Sequence, residues 1–428
     1  MKKNITNPAA TQAAQELNSA HSILILNAGS SSIKFSIFQF DNTLAQRLSG
    51  KLEMNNGSGA TLTSIDASGT QQESAEPAAT NCELIINFLI HWLEQQNIFG
   101  SIRAVGHRVV HGMHHTEPER VTESLLNELH HMTPYNPEHL PIEIGLMEAF
   151  HWRHSALVQV ACFDTAFHRT LPRIARLLSI PRHYSDKGIE RYGFHGLSYA
   201  YLMHELARHN DPAASKGRLI LAHLGNGASM AAILDGNSID TSMGFTPTGG
   251  LPMGTRMGDI DSGLLIYLER TEHLTAEQIQ HMVNYESGLR GISETSSDMR
   301  ELLKHEAEDI RAAEAIDVFC YAAKKLIGAY AAALGGLDTL IFTGGIGENS
   351  AVVRAQICDG LGFLGIHLHK GRNFQAANLI STNSSSVRVR VIPTREDLMI
   401  ARSILNIIPN RRVKSREILN ETQLRQLG

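Results

Sequence analysis

The chain has 428 residues, 43% of them hydrophobic and 19% charged, with a formal net charge of -5 and a pI near 6.5. This balance offers no basic surface to draw in nucleic acid, and no apolar run approaches the length of a membrane span. Two domains are expected at this length, and the four cysteines, widely spaced and without a C-x-x-C pair, read as buried thiols in a reducing cytoplasm.

Residues 1–20 are polar and alanine-rich. No apolar segment follows Lys2 and Lys3, so they do not form a secretory signal and are expected to be a flexible arm. Ser22 to Leu26 is an almost continuous apolar run, the mark of a buried strand. Ile33, Phe35 and Ile37 then alternate with Lys34 and Ser36, which predicts a second strand with one face in a core. Asn27, Gly29 and three serines lie between them. Such a turn offers many small donors and suits a phosphate, although an ordinary hairpin turn would have the same composition. Residues 55–79 are rich in Gly, Ser, Thr and Ala and read as a loop or thin surface strands.

Cys82 to Gln95 is predicted to be a helix, with Leu84, Ile85, Phe88 and Trp92 on its packed face. Ile102 to Gly112 reads as a strand carrying Arg108 near its C-terminal end, where open α/β sheets bind ligands. The histidines between 107 and 154 have no metal-ligand spacing, so they are expected to be solvated or hydrogen-bonded. Leu157 to Phe163 is another apolar strand. It ends at Asp164, a reasonable position for catalysis or for holding a metal-bound water, with a helix N-cap as the strong ordinary reading. Gly193 and Gly196 flank His195 and favour a loop there.

The opening pattern returns between Arg218 and Leu234, where a strand, a turn and a strand surround Leu224-Gly-Asn-Gly-Ala-Ser229. This repeat suggests two halves of like fold, each with a phosphate-gripping hairpin. Asp338 to Asn349 adds a third element, expected as strand, glycine loop and helix. A single glycine loop is weak evidence, but three in one chain, two of them repeated hairpins, argue for a nucleotide.

Taken together, these segments resemble the acetate and propionate kinase family, within the superfamily of sugar kinases, heat-shock ATPases and actin. The resemblance is carried in order by Asn27 to Lys34, Gly106 to Gly112, Phe163 to His168, Tyr192 to Ser198 and His223 to Ser229. It continues through Met253 to Arg256, Gly258 to Asp261, Ser296 to Arg300, Phe342 to Asn349 and Pro393 to Leu398. The fold it implies is α/β, two duplicated ribonuclease H-like (actin-like ATPase) domains with an interdomain cleft. It places the first domain at 21–166 plus 398–428, the C-terminal helix returning to it, and the second, with the main nucleotide site, at 167–397. A cytoplasmic homodimer follows from the same resemblance.

The resemblance also implies roles for single residues. Asn27 and Glu396 match metal positions for Mg2+, with Mn2+ as an alternative, and Lys34 matches a contact to a nucleotide phosphate. His223, Leu224, Gly225, Asn226 and Gly227 match nucleotide-binding segments for ATP and ADP. So do Asp298, Met299, Arg300, Gly345, Ile346, Gly347, Glu348 and Asn349. Arg108 matches the carboxylate-binding arginine, and Val110, Phe194 and Pro247 match the apolar acyl positions. Asp164, His195 and Arg256 match the catalytic set. The implied activity is reversible phosphorylation of acetate to acetyl phosphate. Propionate is the alternative acceptor, and an actin- or heat-shock-like ATPase switch is a remote one.

A short-chain acid, with a pKa of ~4.3 like that of glutamate, is already ionised at neutral pH and needs no general base. Asp164 is therefore expected to hold water or orient a neighbour more than to accept a proton. Two segments depart from the family pattern. Thr133-Pro-Tyr-Asn-Pro137 stands where Pro-Leu-His-Asn-Pro is usual, and Thr246-Pro-Thr-Gly-Gly250 stands where Thr-Pro-Leu-Glu-Gly is usual. Both bear on acyl preference or the dimer face.

Overall fold

The computed structural model describes residues 21–29, 32–41, 43–54, 59–76 and 81–408. The expected N-terminal arm and residues 411–428 lie outside them, as do Ser30 and Ser31 of the first glycine turn. The described chain forms two compact units. The first takes the residues up to His111, Glu117–Phe163 and the chain from Glu396; the second takes Gly112–Thr116 and Asp164–Arg395.

The first unit is built on an eight-stranded sheet in the order β5-β4-β3-β2-β1-β6-β8-β7. Its strands are β1 (His21–Ala28), β2 (Ser32–Phe40), β3 (Leu44–Met54), β4 (Ala60–Asp66), β5 (Gln71–Glu76), β6 (Ile102–Val109), β7 (Glu119–Arg120) and β8 (Val158–Phe163). The expected apolar run lies in β1 because that strand is buried on both faces. Leu24 and Leu26 join a core with Ile33, Phe35 and the helices Cys82–Glu94 and Leu140–Arg153. Ile25 faces the other way, and the helix Glu396–Ile407 lies on that side through Ile400 and Ile404. This helix comes close because its neighbour on β6 is Gly106, where an added Cβ would sit 2.6 Å from Ile400 Cγ2.

The second unit has a five-stranded sheet in the order β11-β10-β9-β12-β13. Its strands are β9 (Arg218–Leu224), β10 (Ala228–Leu234), β11 (Asn237–Thr241), β12 (Thr339–Thr343) and β13 (Arg388–Val391). Two antiparallel pairings are followed by two parallel ones, the same succession as β3-β2-β1-β6-β8 in the first unit. The repeat seen in the sequence is therefore a repeat of topology, as expected of the two-domain actin-like ATPase fold. The helix Gly196–Arg208 covers one core through Tyr199, Leu202 and Leu206. The 25-residue helix Ile310–Leu334 runs from an Asp309 cap to Gly335, whose φ of +69° closes it in the left-handed region.

Three expectations change in detail. Cys82 is exposed; the other three cysteines are buried. The helix from Cys82 packs through Ile85, Ile86, Leu89, Ile90, Leu93 and the expected Trp92, while Leu84 is 44% exposed. Its apolar stripe is wider than the four residues chosen, and the buried arc is centred one position further along. No separate glycine loop follows β12, because Gly344 and Gly345 themselves form the first turn of the helix Gly344–Asn349. Residues 60–66 and 71–76 do form thin strands. Among the described residues no helix is long and apolar enough to cross a membrane.

Candidate active site

At the C-terminal ends of β1 and β6 three polar side chains meet in the first unit. The parallel register pairs Leu26 with His107, which brings Asn27 beside Arg108. The Arg108 guanidinium donates to Asn27 Oδ1 at 3.1 Å, and Asn27 Nδ2 donates to Glu396 Oε2 at 3.0 Å. Arg108 Nε lies 4.0 Å from the same carboxylate oxygen, with the two side chains only 13% and 17% exposed. Glu396 reaches this point because its helix rests on Gly106. Its neighbour Asp397 is turned away and accepts from Ser36 Oγ at 3.1 Å.

Lys34 is exposed and lies directly across the β1–β2 pair from Asn27, which puts the two side chains on one face. Val110 is buried, and its N–H donates to both oxygens of the buried Glu143 carboxylate at 3.2 Å. Tyr135, in the departing segment, is half-buried with its ring 6.0 Å from that of His111.

The second unit carries the other group. Asp164 follows β8 and is fully buried. Its carboxylate accepts from the N–H groups of His195 at 3.1 Å and Leu197 at 3.3 Å, at the start of the helix Gly196–Arg208. The capping reading of Asp164 thus has direct support in its contacts, and a carboxylate there also suits the positive end of the helix dipole. His195 takes a left-handed conformation with φ +59°. The fully buried His168 holds the preceding peptide, with Nε2 3.1 Å from the Phe194 carbonyl and Nδ1 2.8 Å from Ser238 Oγ. Burial pulls the pKa of His168 down to about 4, so its ring is neutral at physiological pH. Gly193 is required here, since a Cβ on it would sit 2.6 Å from the His168 ring.

The rings of His195 and His223 stack at 4.1 Å with an interplanar angle of 17°. Arg256 donates to the Pro247 carbonyl at 3.3 Å. The His195 ring and the Arg256 guanidinium both approach the turn between β9 and β10. A Cβ built on Gly227 would stand 3.4 Å from His195 Nε2 and 3.8 Å from Arg256 Nη1. The same turn approaches the third glycine element, since a Cβ on Gly225 would lie 3.7 Å from Gly345 N. Bare backbone, two donors and a helix start therefore meet where a phosphate could be gripped.

The remaining nucleotide candidates divide by what they touch. Gly345 and Asn349 are exposed, and Asn349 Nδ2 donates to the Gly345 carbonyl at 2.9 Å. Glu348 points inward, where Oε1 accepts from Gly344 N at 2.8 Å, Thr394 N at 3.1 Å and Thr343 Oγ1 at 3.2 Å. Asp298 caps the helix Met299–His305 and takes a fork from Arg300, which holds its carboxyl below the usual range. Met299 is buried and Asn226 is exposed at the turn. Leu224, Ile346 and Gly347 form the packed side of these turns. Sequence reasoning missed the supporting residues His168, Tyr199, Ser229 and Thr394. Three of these stand inside motifs singled out for their neighbours, and only a buried contact reveals their part.

The chain matches the model of the acetokinase family over residues 22–402. It is 41% identical over 403 residues to the acetate kinase of Methylocella silvestris, covering 90% of this chain and 98% of that protein. Its structure resembles that of Porphyromonas gingivalis acetate kinase with a TM-score of 0.82 and 34% identity, covering 91% of this chain and all of that one. It also resembles a propionate kinase from Francisella tularensis subsp. tularensis SCHU S4 with a TM-score of 0.85, at the same identity and coverage.

Proposed function

Since the chain belongs to the acetokinase family, we propose that it transfers the terminal phosphoryl group of ATP reversibly to acetate, giving acetyl phosphate and ADP. The observation that carries this reading is the meeting of His195 and Arg256 on the bare Gly227 turn. Phosphoryl transfer needs positioned reactants and neutralised charge on the moving group, with little covalent help. One acetate oxygen attacks the γ-phosphorus as the bond to ADP breaks. The electron pair leaves on ADP, and no proton moves.

Arg108 pairs with the carboxylate, and Val110, Phe194 and Pro247 meet the apolar end of the acyl group. His195 and Arg256 donate to the transferring phosphoryl oxygens. Asp164 holds His195 and Leu197 through their backbone instead of taking a proton. Lys34, the 223–227 turn, Asp298 to Arg300 and Gly345 to Asn349 bind the nucleotide, with Glu348 shaping the last turn from within. Asn27 and Glu396 would offer a metal only oxygen ligands. That suits Mg2+, which completes its shell with waters and phosphate oxygens and neutralises charge on them; Mn2+ shares this preference. The same reading carries a cytoplasmic homodimer, and the mass in solution by light scattering tests the dimer.

The deciding experiment is hydroxamate trapping with ATP, Mg2+ and acetate. An acyl hydroxamate formed only with all three supports the proposal. Hydrolysis of ATP without hydroxamate points to the actin- or heat-shock-like switch. The likeness to a propionate kinase favours propionate as the second acceptor, and the ratio of kcat/KM for the two acids separates them.

A further inference from the structure

His195 is tied into a buried hydroxyl chain. Its Nδ1 lies 2.8 Å from Ser229 Oγ, and the same Oγ lies 2.5 Å from the Tyr199 phenol. Tyr199 and Ser229 are both completely buried. Burial pushes the Tyr199 phenol well above its usual range, so it keeps its proton and must donate it. Ser229 Oγ is its partner. Ser229 Oγ is buried and has one proton to place; with Tyr199 already donating to it, the remaining acceptor within reach is His195 Nδ1, so the proton goes there. The ring proton of His195 is then on Nε2, the atom nearest the bare Gly227 turn that Arg256 Nη1 also approaches.

The stacked partner is set the other way. His223 Nδ1 lies 2.8 Å from Ser198 Oγ, whose own proton goes to Thr394 Oγ1 at 2.9 Å. Ser198 must therefore accept from His223 Nδ1–H, which leaves His223 Nε2 as an acceptor. We infer that Tyr199, Ser229 and Ser198 are positioning residues that lock two stacked imidazoles as opposite tautomers, His195 donating through Nε2 and His223 accepting through Nε2. Two neutral rings can stack at 4.1 Å without mutual repulsion. His195 then offers an anionic oxygen a fixed donor beside Arg256, which supplies the positive charge. The use of that donor rests on the proposed phosphoryl transfer; the tautomers do not.

Nitrogen NMR of protein labelled with 15N-histidine, with His195→Gln and His223→Gln spectra to assign the two rings, reads the tautomers without turnover. The proposal expects His195 as the Nε2–H form and His223 as the Nδ1–H form. The reverse pattern, or an imidazolium at either ring at neutral pH, overturns it. Ser229→Ala should lower kcat roughly 3- to 10-fold, one neutral hydrogen bond's worth, while moving the ATP KM less than about twofold. In the His195→Gln background Ser229→Ala should cost nothing further; an equal loss there shows that the serine acts elsewhere and overturns the proposal. Should Ser229→Ala fail to fold, Tyr199→Phe keeps the shape, removes the first donor and is judged by the same cycle. If the spectra are as expected but no variant or wild type makes acyl phosphate, the functional reading fails and the tautomer assignment stands.

Discussion

Replacing Glu396 by glutamine removes one negative charge and almost no volume. In the native chain Oε2 accepts from Asn27 Nδ2 at 3.0 Å and lies 4.0 Å from Arg108 Nε. Unit charges at that distance attract by about 4 kcal/mol at an effective dielectric of ~20. Desolvation of two side chains only 13% and 17% exposed offsets much of this. The net loss of stability in Glu396→Gln should therefore be about 1–3 kcal/mol, the range for a hydrogen bond to a charged group. If Glu396 holds Mg2+ as proposed, metal binding should suffer more, because an anionic ligand is lost. Its half-saturating concentration should rise at least the ~10- to 100-fold that loss of an outer-shell partner costs. The assay is hydroxamate formation at saturating ATP and acetate across a Mg2+ titration, alongside thermal melts. Asp397→Asn is the control, since its carboxylate is tied to Ser36. A shift in Mg2+ dependence with Asp397→Asn and none with Glu396→Gln would refute the assignment.

Arg256→Ala should lower kcat by about 10²–10³, as for a lost electrostatic stabiliser, with a smaller change in ATP KM; unchanged turnover would leave it a structural arginine holding the Pro247 carbonyl. Tyr135→Ala should raise the propionate-to-acetate ratio of kcat/KM, within the ~1–3 kcal/mol that one methylene commands, and an unchanged ratio in a looser dimer would place the ring at the contact between copies. His168→Gln, which can still donate to the Phe194 carbonyl, should keep most of the turnover that His168→Ala loses; equal loss in both would limit His168 to packing. Burial also lowers His107 and His168 to about 4 each. Their folded values lie below the unfolded 6.5, so the folded state loses stability as pH falls from about 6.5 towards 4. That amounts to about 3 kcal/mol per histidine by linkage. Melts should show Tm falling over that window, with a shallower slope in His168→Gln.

Strands β1, β2, β6, β8, β9, β10 and β12 were legible because they carry the physics in the sequence itself, whereas β3, β7, β11 and β13 were not read from it. β1 is a continuous apolar run since it is buried on both faces; β2 alternates in burial only over Ile33, Lys34 and Phe35, and Ser36 is buried where a polar face was expected. The repeated hairpin appeared as two glycine turns after like strands, and the topology bears it out. Much less legible was how distant segments meet. Nothing local in Glu396 tells of Asn27, 369 positions earlier; that meeting depends on Gly106 admitting the C-terminal helix. The helix from Cys82 shows a different limit, because so many of its residues are apolar that periodicity alone could not centre its buried arc. The hydroxyl chain behind His195 was invisible for a related reason. Ser229 and Tyr199 gain their part there only from burial, which neither residue type announces in the sequence.

The claim that matters most is that an acetate oxygen attacks ATP directly. Phosphorus NMR of a mixture of enzyme, ATP, Mg2+ and doubly 18O-labelled acetate tests it. Acetyl phosphate should rise in step with ADP, its phosphorus signal shifted by the labelled bridging oxygen. Growth of inorganic phosphate alone, at a rate indifferent to acetate, would contradict it.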